Sequence, residues 1–206
     1  MLNETLLLGF IIATLLVVAT PGPSVVLASS QAMRFGMKAA TLTAIGDALG
    51  TICHILIATL GLQMIIHYAD SVLSWLQIVG GVYLLYLAYT SFKASEDIAT
   101  AEFTPNSNLK IISSGFIACV SNPKAIVFFM ALFPGFIDPT YKVSTQSFLY
   151  GVIFVTLDVI CILGYAIFFT YIFKKSFSGK LNFNVVSGIG LLAVATILIV
   201  RGITAS

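Results

Sequence analysis

TLLLGFIIATLLVVATPGPSVVLASS, residues 5–30, carries no charge and is long enough to cross a bilayer, yet Pro21-Gly22-Pro23 interrupts it. A spanning helix needs about 20 apolar residues. A proline inside it has no N–H to donate and clashes with the carbonyl four residues earlier. Pro21 therefore strands the carbonyl of Val17, and Pro23 that of Ala19. Unsatisfied backbone in hydrocarbon costs several kcal/mol per group, so such a break survives only against protein or a water-filled cavity. The stretch reads as a membrane helix opened at one point.

The rest of the chain agrees with a membrane setting. Of 206 residues, 59% are hydrophobic and 9% charged, whereas a soluble domain carries about 25% charged residues. This is an integral membrane protein with one transmembrane domain, residues 1–206, and no stretch that would form a soluble domain or suit a nucleic-acid partner. Six apolar segments emerge, at about 5–33, 39–66, 72–92, 111–137, 143–173 and 183–203. No basic residue precedes the first, so it reads as a retained span rather than a signal peptide. Arg34, Lys38, Lys93, Lys110, Lys174, Lys175 and Lys180 fall in loops on one side, against Lys142 and Arg201 on the other. That bias places the first set in the cytoplasm and both termini outside. Cys53, Cys119 and Cys161 are scattered through apolar segments without a ligand spacing, so no metal, cofactor or disulfide framework is expected.

Three spans (1–92), a polar linker (93–110) and three more spans (111–206) predict an all-α fold of two inverted three-helix repeats. An offset of 100 residues superimposes Gly22-Pro23 on Asn122-Pro123, each interrupting the first span of its half. The second span of each half then carries a lone acid, Asp47 or Asp158. Pro123 strands the carbonyl of Cys119 as Pro21 strands that of Val17.

Each break exposes a half-helix N-terminus, which favours anions, and a C-terminal end whose carbonyls favour cations. A zwitterion such as an amino acid suits two such ends. The substrate-binding set expected from this is Thr20, Pro21, Gly22, Pro23, Ser24, Ser121, Asn122, Pro123 and Lys124, with the freed carbonyls meeting the ammonium. The alternative is a kink satisfied by neighbouring helices. Lys124 and Asp158 sit near the middle of their spans, where a charge costs on the order of 3 kcal/mol. Lys124 needs a partner: Asp158, Asp47 or a ligand carboxylate. A structural Lys–Asp pair, or a break shallow enough to reach an interface, would also account for it. Asp47, Gly50 and His54 share one helical face, and an intramembrane acid near a histidine can exchange a proton for substrate. Asp47, His54 and Asp158 are thus the candidates for proton coupling or charge compensation. For His54, a neutral ring bonded to another helix is the competing reading, and Gly46 with Gly50 reads as a helix-packing GxxxG.

The segments ATPGPSVVLASSQAMRFGMKAA, GGVYLLYLAYTSFK, GFIACVSNPKAIVFFMALFPGF and SGIGLLAVATILIVRG resemble the LysE/RhtB family of amino-acid exporters. The resemblance covers nearly the whole chain, and its motif falls on Pro21, Gly22 and Pro23 and on Asn122, Pro123 and Lys124. It implies a six-helix exporter of amino acids or close derivatives in a prokaryotic inner membrane. It also implies drive by the proton-motive force and an oligomeric form such as a homodimer. The roles of Asp47 and Asp158 rest on the physical argument alone.

Three other classes compete with a transporter. A membrane thiol-redox carrier would need a cysteine near each break, and Ala19 stands where the first would be. A hydrolase using Ser121 or Ser24 with Lys124 as base is opposed by the proline between Ser121 and Lys124. A passive or gated channel would share the polar breaks. The reading adopted is a transporter rather than an enzyme, with substrate identity open.

Overall fold

A computed structural model describes residues 3–65, 69–93 and 107–173, with isolated helical positions between 189 and 204. Every regular element among the described residues is helical. In chain order they are α1 (Glu4–Ala19), α2 (Pro23–Phe35), α3 (Met37–Ile65), α4 (Ala69–Lys93), α5 (Asn108–Val120), α6 (Pro123–Val127) and α7 (Val143–Ile167). A π-helical turn, Phe128–Leu132, and a 3-10 turn, Phe133–Phe136, extend α6, and a second π turn, Phe168–Phe173, extends α7. The linker 93–110 and the span 183–203 lie mostly outside the described residues.

Among the described residues, two segments are long and apolar enough to cross a membrane alone, Met37–Leu62 and Val143–Tyr171. Two more qualify as bent pairs, α1 with α2 at 50° and α5 with the Pro123–Phe136 segment at 52°. The bends are where proline chemistry requires them. Thr20 and Gly22 are extended, with φ/ψ of −80°/111° and −124°/−172°, as residues before proline prefer. Pro23 then opens α2 at the position where its missing N–H costs nothing. The second break repeats this: Asn122 is extended before Pro123, and its side chain accepts the Lys124 amide at 3.1 Å as an N-cap.

Most side chains that α3 buries are small or polar, and many that it exposes are large and apolar. On α3, Ala40, Thr43, Ala44, Asp47 and Thr51 are buried while Ile45, Leu49, Ile52, Leu56 and Leu60 are exposed. Lipid gives large aliphatics no reason to hide, so small residues take the helix interfaces. Among the described helices α3 and α5 pack together most extensively, and glycines make that interface. A Cβ on Gly46 would collide with the backbone of Ile112, and one on Gly115 with that of Thr43. A Cβ on Gly50 would lie 2.7 Å from Cys119 Cβ. This close approach brings Asp47 beside Cys119, next to the second break.

An aromatic cluster seats the half-helix that follows that break. Phe10 stacks on Tyr150 with centroids 4.5 Å apart, and Phe128, Phe129, Phe133, Phe136 and Phe154 surround them. Beyond it, Asp138 turns the chain toward α7. Its Oδ1 accepts the Thr140 amide at 2.9 Å and hydroxyl at 2.6 Å, and these bonds hold its carboxyl below the usual carboxylate range.

Candidate functional site

The two breaks meet. A Cβ built on Gly22 would lie 3.4 Å from both Asn122 Nδ2 and Lys124 Nζ. The Lys124 ammonium donates to the carbonyls of Val17 at 2.8 Å and Thr20 at 2.6 Å. These belong to the C-terminal end of α1, where the helix dipole favours a cation. The other freed carbonyls are also met: Leu16 by the Thr20 hydroxyl at 2.8 Å, Val18 by Cys161 Sγ at 3.1 Å, and Ala19 by the Tyr165 hydroxyl at 2.7 Å. At the second break, Cys119 O accepts from His54 Nε2 at 3.2 Å and from the Asn122 amide at 2.9 Å. The His54 ring stacks on Phe129 at 5.7 Å.

This differs from the sequence expectation in one respect. The sequence reading has the carbonyls freed before Pro21 and Pro123 meet a substrate's ammonium; here Lys124 donates to Val17 O and His54 to Cys119 O, and Tyr165 donates to Ala19 O. The reason is that a membrane interior leaves no backbone acceptor without a donor, and these three side chains supply one from another helix.

A cavity opens at the junction, lined by Ser24, Asp47, Thr51, Cys119, Asn122, Lys124 and Asp158 together with Val18, Val25, Phe154 and Ile162. It gives about 30 Å³ of room to water centres. One water needs about 10–15 Å³ on that measure, so two fill it. Asp47 is buried and shares the cavity wall with Asp158 and with Cys119, whose Sγ lies 3.5 Å from Thr51 Oγ1. The Ser24 hydroxyl is buried without a partner.

The LysE type translocator family model matches residues 15–202. The chain belongs to the LysE-type translocator family. A homoserine/homoserine lactone efflux protein of Salmonella typhi is 27% identical over 163 residues, 77% of each chain. A leucine efflux protein of Salmonella choleraesuis is 28% identical over 164 residues, 77% of this chain and 76% of its own. An uncharacterized membrane protein of Vibrio cholerae is 27% identical over 159 residues, 77% of this chain and 78% of its own. No solved structure matches the chain.

In this LysE-type translocator, the cavity wall brings together Gly22, Ser24, Asn122, Lys124, Asp47 and Asp158 from the sequence-derived set. Thr20 is buried and contributes its carbonyl to Lys124, while Pro21, Pro23 and Pro123 shape the turns. Ser121 is exposed and His54 lies outside the cavity wall. Sequence reasoning missed Thr51, Phe154 and Ile162. A signal existed: Thr51 is four residues from Asp47, and Phe154 and Ile162 are four residues either side of Asp158, each on the acid's own helical face. Cys161 and Tyr165 carried no such signal as carbonyl donors. A buried polar network supports the site from behind, with Thr43 Oγ1 donating to Gln31 Oε1 at 2.8 Å and Gln31 Nε2 to Ser114 Oγ at 3.2 Å.

Proposed function

We propose that this translocator exports amino acids or close derivatives across a prokaryotic cytoplasmic membrane, in exchange for protons, through the junction of its two broken helices. One observation carries the reading: the Lys124 ammonium sits on the carbonyls of the first break, inside a cavity that also holds Asp47 and Asp158. A cation and two acids converging on opened helix ends suit a zwitterion and a proton. The efflux functions in the names of the homoserine and leucine relatives point the same way.

In this scheme the chain forms six spans in two inverted halves, with both termini outside and a homodimer as the assembly. The matched bends of 50° and 52° support the two-half arrangement. Lys124 meets the substrate carboxylate, with Thr20 to Ser24 on one side and Ser121 to Pro123 on the other shaping the passage. Asp47 and Asp158 take the proton or the substrate ammonium. His54 holds the Cys119 carbonyl and acts on the site through position.

The test is Lys124→Met in reconstituted vesicles. Export should fall to background while the protein remains folded and inserted; retained export sinks the proposal. Coupling is tested separately. A protonophore should stop uphill export, and continued accumulation in its presence would rule out proton drive.

A further inference from the structure

We infer that Tyr165 and His54 are paired gate residues, Tyr165 closing the junction toward the cytoplasm through Ala19 O and His54 closing it toward the outside through Cys119 O. This rests on the exporter reading above and adds to it the side chains that decide which face is open.

The two bonds correspond across the halves of the chain. Ala19 stands four residues before Pro23 and Cys119 four before Pro123, so each carbonyl is the one its proline leaves without a helical donor. Tyr165 stands seven residues after Asp158 on α7, and His54 seven after Asp47 on α3. The Tyr165 hydroxyl donates to Ala19 O at 2.7 Å, and His54 Nε2 donates to Cys119 O at 3.2 Å. Each acid-bearing helix therefore supplies the missing donor to the broken helix of the other half.

The sides follow from chain direction. Asp47 and Asp158 line one cavity, and neither His54 nor Tyr165 is part of its wall. Seven residues of helix advance about 10 Å, at about 1.5 Å per residue. In the topology proposed above, α3 runs outward from Arg34 and Lys38, and α7 runs inward toward Lys174 and Lys175. His54 then lies on the outer side of the acids and Tyr165 on the cytoplasmic side.

A carbonyl in a dry junction needs its protein donor, whereas in a wet passage water serves nearly as well. Removing one donor therefore penalises the closed state and spares the state open on that side. A merely structural bond, once lost, would loosen the junction toward both faces alike.

The experiment uses the full chain with Cys53→Ala and Cys161→Ser. This leaves Cys119, on the cavity wall, as the sole thiol and keeps a hydroxyl donor near Val18 O. A small, charged, membrane-impermeant methanethiosulfonate is applied to right-side-out and inside-out vesicles. Tyr165→Phe and His54→Phe each keep an aromatic ring, which for His54 preserves the stacking on Phe129. His54→Phe should speed labelling from the outer face only, by about tenfold, the ratio that about 1.4 kcal/mol produces. Tyr165→Phe should speed it from the cytoplasmic face only, by about threefold, because its bond is the more exposed of the two. Both variants acting at the same face, either acting at both faces alike, or neither changing the rate overturns the inference. Wild-type chain in the same vesicles is tested for export of a panel of labelled amino acids. If it exports while the labelling pattern fails, the exporter reading stands without this inference. If it moves none of them, the exporter reading falls, and this inference with it.

Discussion

Four glycines give the fold a graded test, because the space and the backbone around each differ. Gly61 lies within α3 with no atom within 4 Å of a Cβ placed there. Alanine gains roughly 0.5–1 kcal/mol over glycine in a helix interior, so Gly61→Ala should stabilise the protein by that amount. Gly36 is equally open, yet its φ is 84° and its ψ 171°. That region is essentially restricted to glycine and costs other residues about 1–3 kcal/mol, so Gly36→Ala should destabilise despite the free space. Gly50 is tight, with Cys119 Cβ 2.7 Å from the added carbon. Overpacking of this kind costs about 1–3 kcal/mol, and the helix-propensity gain offsets part of it. Gly46→Ala should be worst, because the obstacle is the backbone carbonyl of Ile112, which cannot rotate away. The assay is far-UV circular dichroism during SDS titration of the protein in mild detergent micelles. The expected order of stability is Gly61→Ala above wild type, then Gly36→Ala and Gly50→Ala below it, then Gly46→Ala. Equal shifts for Gly61→Ala and Gly36→Ala would refute the backbone argument. Gly46→Ala matching wild type would refute the α3–α5 contact. Gly50→Ala also carries a functional readout, since pushing Cys119 away displaces Asn122 and Lys124 behind it.

His54→Ala removes the donor at 3.2 Å from Cys119 O and should cost about 1–3 kcal/mol while leaving the pH profile of export unchanged; a flattened profile would make His54 a proton carrier instead. Thr140→Val removes the hydroxyl that helps hold Asp138 below the usual carboxylate range, so NMR titration of that carboxyl should show a value moved back toward about 3.9. With its folded pKa depressed, Asp138 adds stability above the ordinary carboxylate pKa and loses it as pH falls through the folded value. Wild type should therefore lose more stability than Thr140→Val across that acid window, and parallel acid melts would refute the assignment. Cys161 donates to the Val18 carbonyl at the first break. In a Cys53→Ala/Cys119→Ala background, a small hydrophilic thiol reagent should label Cys161 faster during turnover than at rest, and equal rates would mean that the break stays dry.

The breaks were legible because proline acts locally. Thr20, Gly22 and Asn122 had to leave helical geometry whatever surrounded them, and the span estimates 5–33 and 111–137 match helices bent at Thr20–Gly22 and Ser121–Asn122. Lys124 and Asp158 were legible because a buried charge is costly wherever it sits. What the sequence left open was which donor reaches which carbonyl. That depends on the register between helices, and it is why Lys124 on Val17 O, Tyr165 on Ala19 O and His54 on Cys119 O emerged only in three dimensions. The π turn at Phe128–Leu132 was likewise missed. Its cause lies in Pro134, which cannot donate back to Met130 and loosens the helix just ahead of the 3-10 turn.

The donor assignments also constrain how the site can open. Val17 and Thr20 are held by a side chain after the second break, Val18 and Ala19 by two side chains of the seventh helix region, and Cys119 by one from α3. Separating the two breaks strips Val17 and Thr20 of Lys124, and in hydrocarbon each such loss costs several kcal/mol. Water entering from one face removes most of that cost, because it replaces one donor with another. If the junction is the passage proposed above, a dry separation is disfavoured, and a state wet from both faces at once would not hold a gradient. At about 30 Å³ the junction now has room for two waters but not for an amino acid. On the exporter reading proposed above, substrate entry coincides with a break becoming wet on one side. On the same reading, the prolines that weaken two membrane helices supply the bonds that are exchanged as a substrate crosses.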